Sequence, residues 1–145
     1  MFHRTTDTQK LWTRWGALWN GDLAIADTII APDFVAHFVP MTPGTPEIRG
    51  PEGLKAMISM FLGGFAHGTF TTEVGPVAEG HLIAGRWRFQ GVYQGGIPGS
   101  SAAAVGKTVE FAGMDLFRVA DDKIVEYWLS SDTLSFLQQI GAIPA

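Results

Sequence analysis

The chain carries four histidines and no cysteine, so its stock of ordinary proton-transfer groups and soft metal ligands is small. Thiolate nucleophiles and disulfides are excluded. His3, His67 and His81 are scattered, and no His-x-x-x-His or comparable spacing sets two ligands on one helical face, so no metal site is expected. His37 lies in the apolar stretch Phe34 to Val39. It is the best single candidate for moving a proton near neutral pH, weighed against a structural imidazole satisfied in the core. Arg86 and Arg88 stand two apart and therefore share one face of a strand. Pointing inward, they would form a cationic site that calls for an anionic ligand group such as a carboxylate. Pointing outward, both would pair with surface carboxylates while Trp87 and Phe89 pack. Among the five tryptophans, at positions 12, 15, 19, 87 and 128, most belong in a core by type. Trp15 and Trp19 are spaced to line a cavity and to stack on a planar or polycyclic ligand.

These residues need elements to position them. Thr6 to Gln9 reads as a capping box, after which Leu11, Trp15 and Leu18 recur at helical spacing, with Trp12 and Trp19 widening the apolar face. Asn20-Gly21 ends that helix, and Asp22 can cap a short second one closed by Pro32. A strand is expected over Phe34 to Val39, then a Pro- and Gly-rich loop from Pro40 to Gly50. Leu54, Met57, Ile58, Phe61, Leu62 and Phe65 keep the i, i+3, i+4, i+7 pattern of a third helix, with Pro51 near its first turn.

From Thr69 onward the period changes to two, which predicts strands at about 69–78, 81–93, 107–119 and 123–131. The Gly-rich stretch Gln94 to Gly106 is expected to be a flexible lid. Asp132 is placed to cap a last helix over Thr133 to Gln139. Helices first and a strand meander after make an α+β order, with a curved antiparallel sheet wrapped around the helices.

The chain has 145 residues, of which 46% are hydrophobic and 17% charged. That is one domain, 1–145, long enough to bury roughly two-thirds of its unfolded surface. Ten basic against 14 acidic residues give a net charge of −4, and no run of like charge offers a phosphate footprint, so nucleic acid is an unexpected partner. No stretch of about 18 apolar residues and no signal-type N-terminus is visible, which makes a cytoplasmic protein the expectation and a membrane partner an unexpected one.

The order of elements, together with Trp19-Asn20-Gly21-Asp22-Leu23, Ala31-Pro32-Asp33-Phe34-Val35-Ala36-His37, Arg49-Gly50-Pro51-Glu52-Gly53, Asp115-Leu116-Phe117-Arg118-Val119, Asp122-Lys123-Ile124-Val125-Glu126-Tyr127-Trp128 and Gln138-Gln139-Ile140-Gly141, resembles the SnoaL-like polyketide or ester cyclases of the nuclear transport factor 2-like superfamily. The resemblance implies a cone with an apolar cavity between helices and concave sheet. It also implies proton transfer on a small hydrophobic, polyketide-like or ring-bearing carbonyl metabolite without a cofactor, and a homodimer through the outer sheet face. An outer face carrying Ile124 and Trp128 fits such a dimer.

Residue by residue, the family's acid/base aspartate falls on Leu129 and its partner histidine on Met114, neither of which can move a proton. The ketosteroid isomerase base falls near Phe38, and ester cyclases often carry a histidine at the position of His37. Limonene epoxide hydrolase places an arginine at Arg86 and its partner aspartate at Arg88. The family's concave face then holds Tyr127 and Leu129, and alternation sends Asp115 to the opposite face from Met114, away from the cavity. The catalytic candidates are thus His37, Tyr127 and Arg86, with Trp15, Trp19, Phe38, Phe61, Arg88, Met114 and Leu129 against the ligand. A non-catalytic binding module is the alternative, favoured by Leu129 and Met114.

Overall fold

A computed structural model describes residues 2–37, 44 and 47–145, with side chains from Asp7 onward. Helix α1 spans Phe2–Trp19 and buries Trp12, Trp15, Leu18 and Trp19, the i, i+3, i+4, i+7 stripe that the sequence predicts. Gly21 turns the chain at φ +107°, a region where a side chain is strained. A single 3-10 turn at Leu23–Ile25 leads into α2, Ala26–Ile29. The second helix is therefore shorter than expected, and Asp22 makes no side-chain cap. Strand β1 starts early, at Ile30, and runs to His37. Pro32 sits inside it where the register with β6 (Lys123–Ser131) shifts between Ile30 and Val35, a position that needs no ladder N–H.

After β2 (Ile48–Arg49), α3 spans Gly50–Leu62 with a proline in its first turn and buries Leu54 and Ile58. Strands β3 (Phe65–Glu79), β4 (Leu82–Tyr93) and β5 (Thr108–Ala120) precede β6. Helix α4, Thr133–Gln139, follows, and the Asp132 side chain caps it by accepting from the backbone N–H of Ser135. The sheet order is β2-β1-β6-β5-β4-β3. Strands β3 to β6 form the expected antiparallel meander, but β1 joins β6 in parallel, so the sheet is mixed. No helix among the described residues is long and apolar enough to cross a membrane.

Two amide side chains stitch helices to strands by imitating a neighbouring strand. Asn20, just past α1, donates from Nδ2 to the Phe70 carbonyl and accepts from its N–H at 2.7 Å. Gln139, at the end of α4, makes the same pair of bonds with the backbone of Glu110. Each clamp satisfies two strand groups that would otherwise be left to water.

Cross-strand register decides which side chains face the helices. Asp115 stands opposite Gly85 on one side and Leu129 on the other, and Phe117 stands opposite Tyr127. Directly opposed residues share a face, so Asp115 joins the inner set with Trp87, Phe89, Phe111 and Phe117, all of which are buried. The expectation that Asp115 points outward is corrected by this pairing. The same alternation turns Met114 and Leu116 outward, where they are 45% and 36% exposed. A register shift in β5–β6 after Arg118 skips Val125 and returns Ile124 to the core. The outer face accordingly keeps Trp128 but loses Ile124.

The Gly-rich stretch from Gln94 to Gly106 is pinned. The Tyr93 hydroxyl bonds Ser100 Oγ at 2.6 Å and accepts from the Ile97 N–H, while the Ser101 N–H donates to the Ile140 carbonyl. Ala104 is buried in a second core cluster with Tyr93, Phe136 and Ile140. This stretch closes the core beside α4 and does not line the cavity between α1, α3 and the sheet, which corrects its reading as a lid.

Candidate active site

Between α1, α3 and the inner sheet face lies a cavity of about 200 Å³. Helix α1 contributes Trp12, Trp15, Gly16 and Trp19, and α3 contributes Met57 and Phe61. The sheet supplies Phe70 and two threonines from β3, Trp87 from β4, Phe111 and Asp115 from β5, and Tyr127 and Leu129 from β6. Ser131, Thr133 and Phe136 complete the wall. Aromatic rings pack edge to face around it, Trp15 on Tyr127 at 4.8 Å and Phe70 on Trp87 at 5.2 Å between centroids. The result is an aromatic-walled, mostly apolar site of the kind that binds small hydrophobic ligands.

The chemistry in that wall is concentrated at Asp115. Its Oδ2 accepts from Trp15 Nε1 at 2.9 Å and its Oδ1 from the Tyr127 hydroxyl at 2.7 Å. Both bonds are buried, and the residue is 5% exposed. Two charge-assisted bonds favour the carboxylate, but removal from water disfavours it more. Burial therefore raises the Asp115 carboxyl from its ordinary range to about 6, with the indoles and the Tyr127 hydroxyl opposing the rise. Burial, followed by the negative charge of Asp115, pushes the Tyr127 hydroxyl well above its usual value. Tyr127 therefore remains a donor through neutral pH.

Glycines let this arrangement close. A Cβ at Gly85 would fall 2.5 Å from the Trp12 ring, and one at Gly113 would collide with the Trp87 ring. Trp12 in turn donates to Thr72 Oγ1 at 2.8 Å. Trp19 is different: its Nε1 is buried without a hydrogen-bond partner.

The sequence candidates divide between the two faces of the sheet. Trp15, Trp19, Phe61, Tyr127 and Leu129 line the cavity as expected. His37 does not. It lies on the outer face, its ring stacked on Trp128 at 5.4 Å and its Nε2 3.1 Å from Glu126 Oε2. Glu126 also accepts from Arg118 Nε at 2.9 Å, and these two bonds, Arg118 first, hold its carboxyl below the usual range. Arg86 points outward as well and pairs with Glu73 at 2.6 Å. Arg88 is exposed two residues further along the same face. Met114, the cross-strand neighbour of Arg86, follows them out. The inward cationic site is thereby corrected, because Trp87 and Phe89 hold the inward phase of β4. Phe38 lies outside the described residues. Among the described residues, no group of three or more His, Asp or Glu could hold a metal ion.

Asp115 is the residue that sequence reasoning misplaced, and a signal for it existed. Phe111, Gly113, Asp115 and Phe117 form one alternating set, and a carboxylate in phase with two phenylalanines belongs to the buried side. Trp12 and Trp87 were legible as packing residues but not as cavity wall.

The sequence matches the SnoaL-like polyketide cyclase family over residues 9–140. No curated protein matches the chain. Among solved structures, the chain is similar to TsrD from Streptomyces laurentii, with 25% identity and a TM-score of 0.79 over 95% of this chain and 97% of that one. It is also similar to IdmH from Streptomyces antibioticus, described as a candidate polyketide cyclase, with 26% identity and a TM-score of 0.74 over 92% and 98%. An NTF2-like protein from Burkholderia thailandensis shares the fold at 22% identity and a TM-score of 0.71 over 92% and 95%.

A carboxyl whose pKa rises on folding keeps its proton in the native state over a range where the unfolded chain has lost it. Stability is then fully present below the unfolded value of 3.8 and is lost as pH rises through about 6. A rise from 3.8 to about 6 corresponds to about 3 kcal/mol. The difference in unfolding free energy between the wild type and Asp115→Asn, measured by denaturant titration, should fall by up to about 3 kcal/mol between about pH 4 and about pH 8. A flat difference would show that Asp115 titrates normally.

Proposed function

Starting from a chain that belongs to the SnoaL-like polyketide cyclase family, we propose that the cavity binds a small hydrophobic, polyketide-like or ring-bearing carbonyl metabolite and carries out cofactor-independent acid–base chemistry on it, as a cyclase or isomerase. One observation carries this reading: a buried carboxyl at the cavity wall, held by two donors and raised toward neutral pH. Such a group is a base strong enough to take a proton and an acid weak enough to return it.

In this scheme the aromatic walls hold the substrate's rings and set its acidic C–H against the Asp115 carboxylate. Proton transfer to Asp115 leaves the carbanion delocalised into the adjoining carbonyl as an enolate. Bond reorganisation within the substrate follows, and Asp115 gives the proton back. Trp15 and Tyr127 position the carboxylate and keep it from rotating out of line. His37 and Arg86, expected as catalytic, stand on the outer face and have no part in this scheme. A second reading, a module that holds the metabolite unchanged, is favoured by Leu129, which lines the wall beside Asp115 and offers no second proton-transfer group.

We further propose that the outer sheet face, with Met114, Leu116 and Trp128, pairs with a second copy of the chain. A single-chain mass in solution at micromolar concentration would contradict this.

Purified protein incubated with an extract of aromatic polyketide esters and related carbonyl compounds, with free and bound pools analysed by mass spectrometry, tests the main reading. A compound should disappear as an isomer, a dehydrated or a hydrated product appears. Asp115→Asn should lower the turnover by about 10²-fold or more, whereas His37→Ala should leave it within a few-fold. A compound retained unchanged would establish the binding module, and full turnover by Asp115→Asn would remove Asp115 from the chemistry.

A further inference from the structure

Resting on the reading of this cavity as the ligand site, we infer that its ligand enters without an anionic group, as a ketone or phenol rather than a free carboxylate or phosphate, and that Asp115 is the residue that sets this selectivity. The cavity wall has one group that ionises to a carboxylate and no lysine, arginine or histidine among the described residues. Arg86 and Arg88, the only cations that alternation could have delivered to this region of β4, are on the other side of the sheet.

An anion entering here would lose its hydration in an aromatic cavity and meet another negative charge. The two strongest donors are already spent on Asp115, since Trp15 Nε1 and the Tyr127 hydroxyl each point at its oxygens, and Trp12 Nε1 is engaged by Thr72. What remains for a ligand is ring surface, the threonine and serine hydroxyls of the wall and the unpartnered Trp19 Nε1–H. Those groups solvate a neutral carbonyl or phenol adequately but do not neutralise a charge.

The groups facing Asp115 are Trp15 from α1, Gly85 and Trp87 from β4, and Tyr127 and Leu129 from β6. Tyr127 alone among them titrates, and it stays protonated. Selectivity against anions should therefore follow the ionisation of Asp115.

Methyl 2-naphthyl sulfone and 2-naphthalenesulfonate form a suitable pair of probes, nearly identical in shape and differing by a methyl group in place of a charged oxygen. The sulfonate is ionised throughout the useful pH range. Dissociation constants measured by ligand-observed NMR at about pH 8 should favour the neutral sulfone by at least about tenfold, or about 1.4 kcal/mol. That ratio should shrink several-fold in Asp115→Asn, and likewise in the wild type at about pH 5, which needs no variant to fold. Equal binding, or tighter binding of the sulfonate, would overturn the inference while leaving the acid–base reading to its own turnover test. A ratio unmoved by both the variant and the pH would remove Asp115 as the selecting residue. Failure of both probes to bind would overturn the inference together with the assignment of this cavity as the ligand site.

Discussion

Burying a carboxylate is the constraint around which the inner half of this protein is organised. An isolated buried charge costs several kcal/mol even after relaxation, and the chain offsets that cost with two donors drawn from elements far apart in sequence. Trp15 lies 100 residues before Asp115 and Tyr127 lies 12 after it. The bond from Trp15 fixes how α1 lies across the sheet, and the bond from Tyr127 holds β5 and β6 in register through their inner faces. Neither donor can be lost without leaving part of the charge unsolvated.

The rest of the inner face accommodates this centre. Gly85 leaves room for the Trp12 ring and Gly113 for the Trp87 ring, so two tryptophans lie close to the sheet on either side of Asp115. Helices α1 and α4 are held in place by the backbone-mimicking amides of Asn20 and Gln139. With the Gly-rich stretch fastened by Tyr93 and Ile140, the cavity owes nothing to closure of that stretch. Fixed dipoles around a partly protonated carboxyl are what proton transfer in a dry site requires, because little reorganisation is left to do when charge moves.

Much of the architecture was legible from residue types and spacing. The stripe of α1, the third and fourth helices and the four long strands follow from periodicity, and the cap at Asp132 from its side chain. The inner positions of Tyr127, Leu129, Trp15 and Trp19 followed from the family's concave face and the helical stripe. Faces that depend on the partner strand were harder. Alternation along β5 separates Asp115 from Met114, and pairing with Leu129 and Gly85 fixes Asp115 as the inner of the two. The shift that skips Val125 reverses Ile124 for the same reason. His37 was drawn inward by its apolar neighbours, whereas its ring is stabilised outside by Trp128 and Glu126, a cross-strand arrangement invisible in a linear reading. Polar groups on an outer face find partners in this way at small energetic cost, so their residue types alone do not mark a site.

Ionisation of Asp115 is the physical property on which the proposed chemistry and selectivity both depend. Its carboxyl carbon can be followed directly by carbon-13 NMR across the pH range, with the resonance assigned by its loss in Asp115→Asn. A midpoint of about 6 is expected. A midpoint near the ordinary value of about 4 would mean that water reaches the group, and it would contradict the buried, cavity-facing carboxyl on which the functional reading rests.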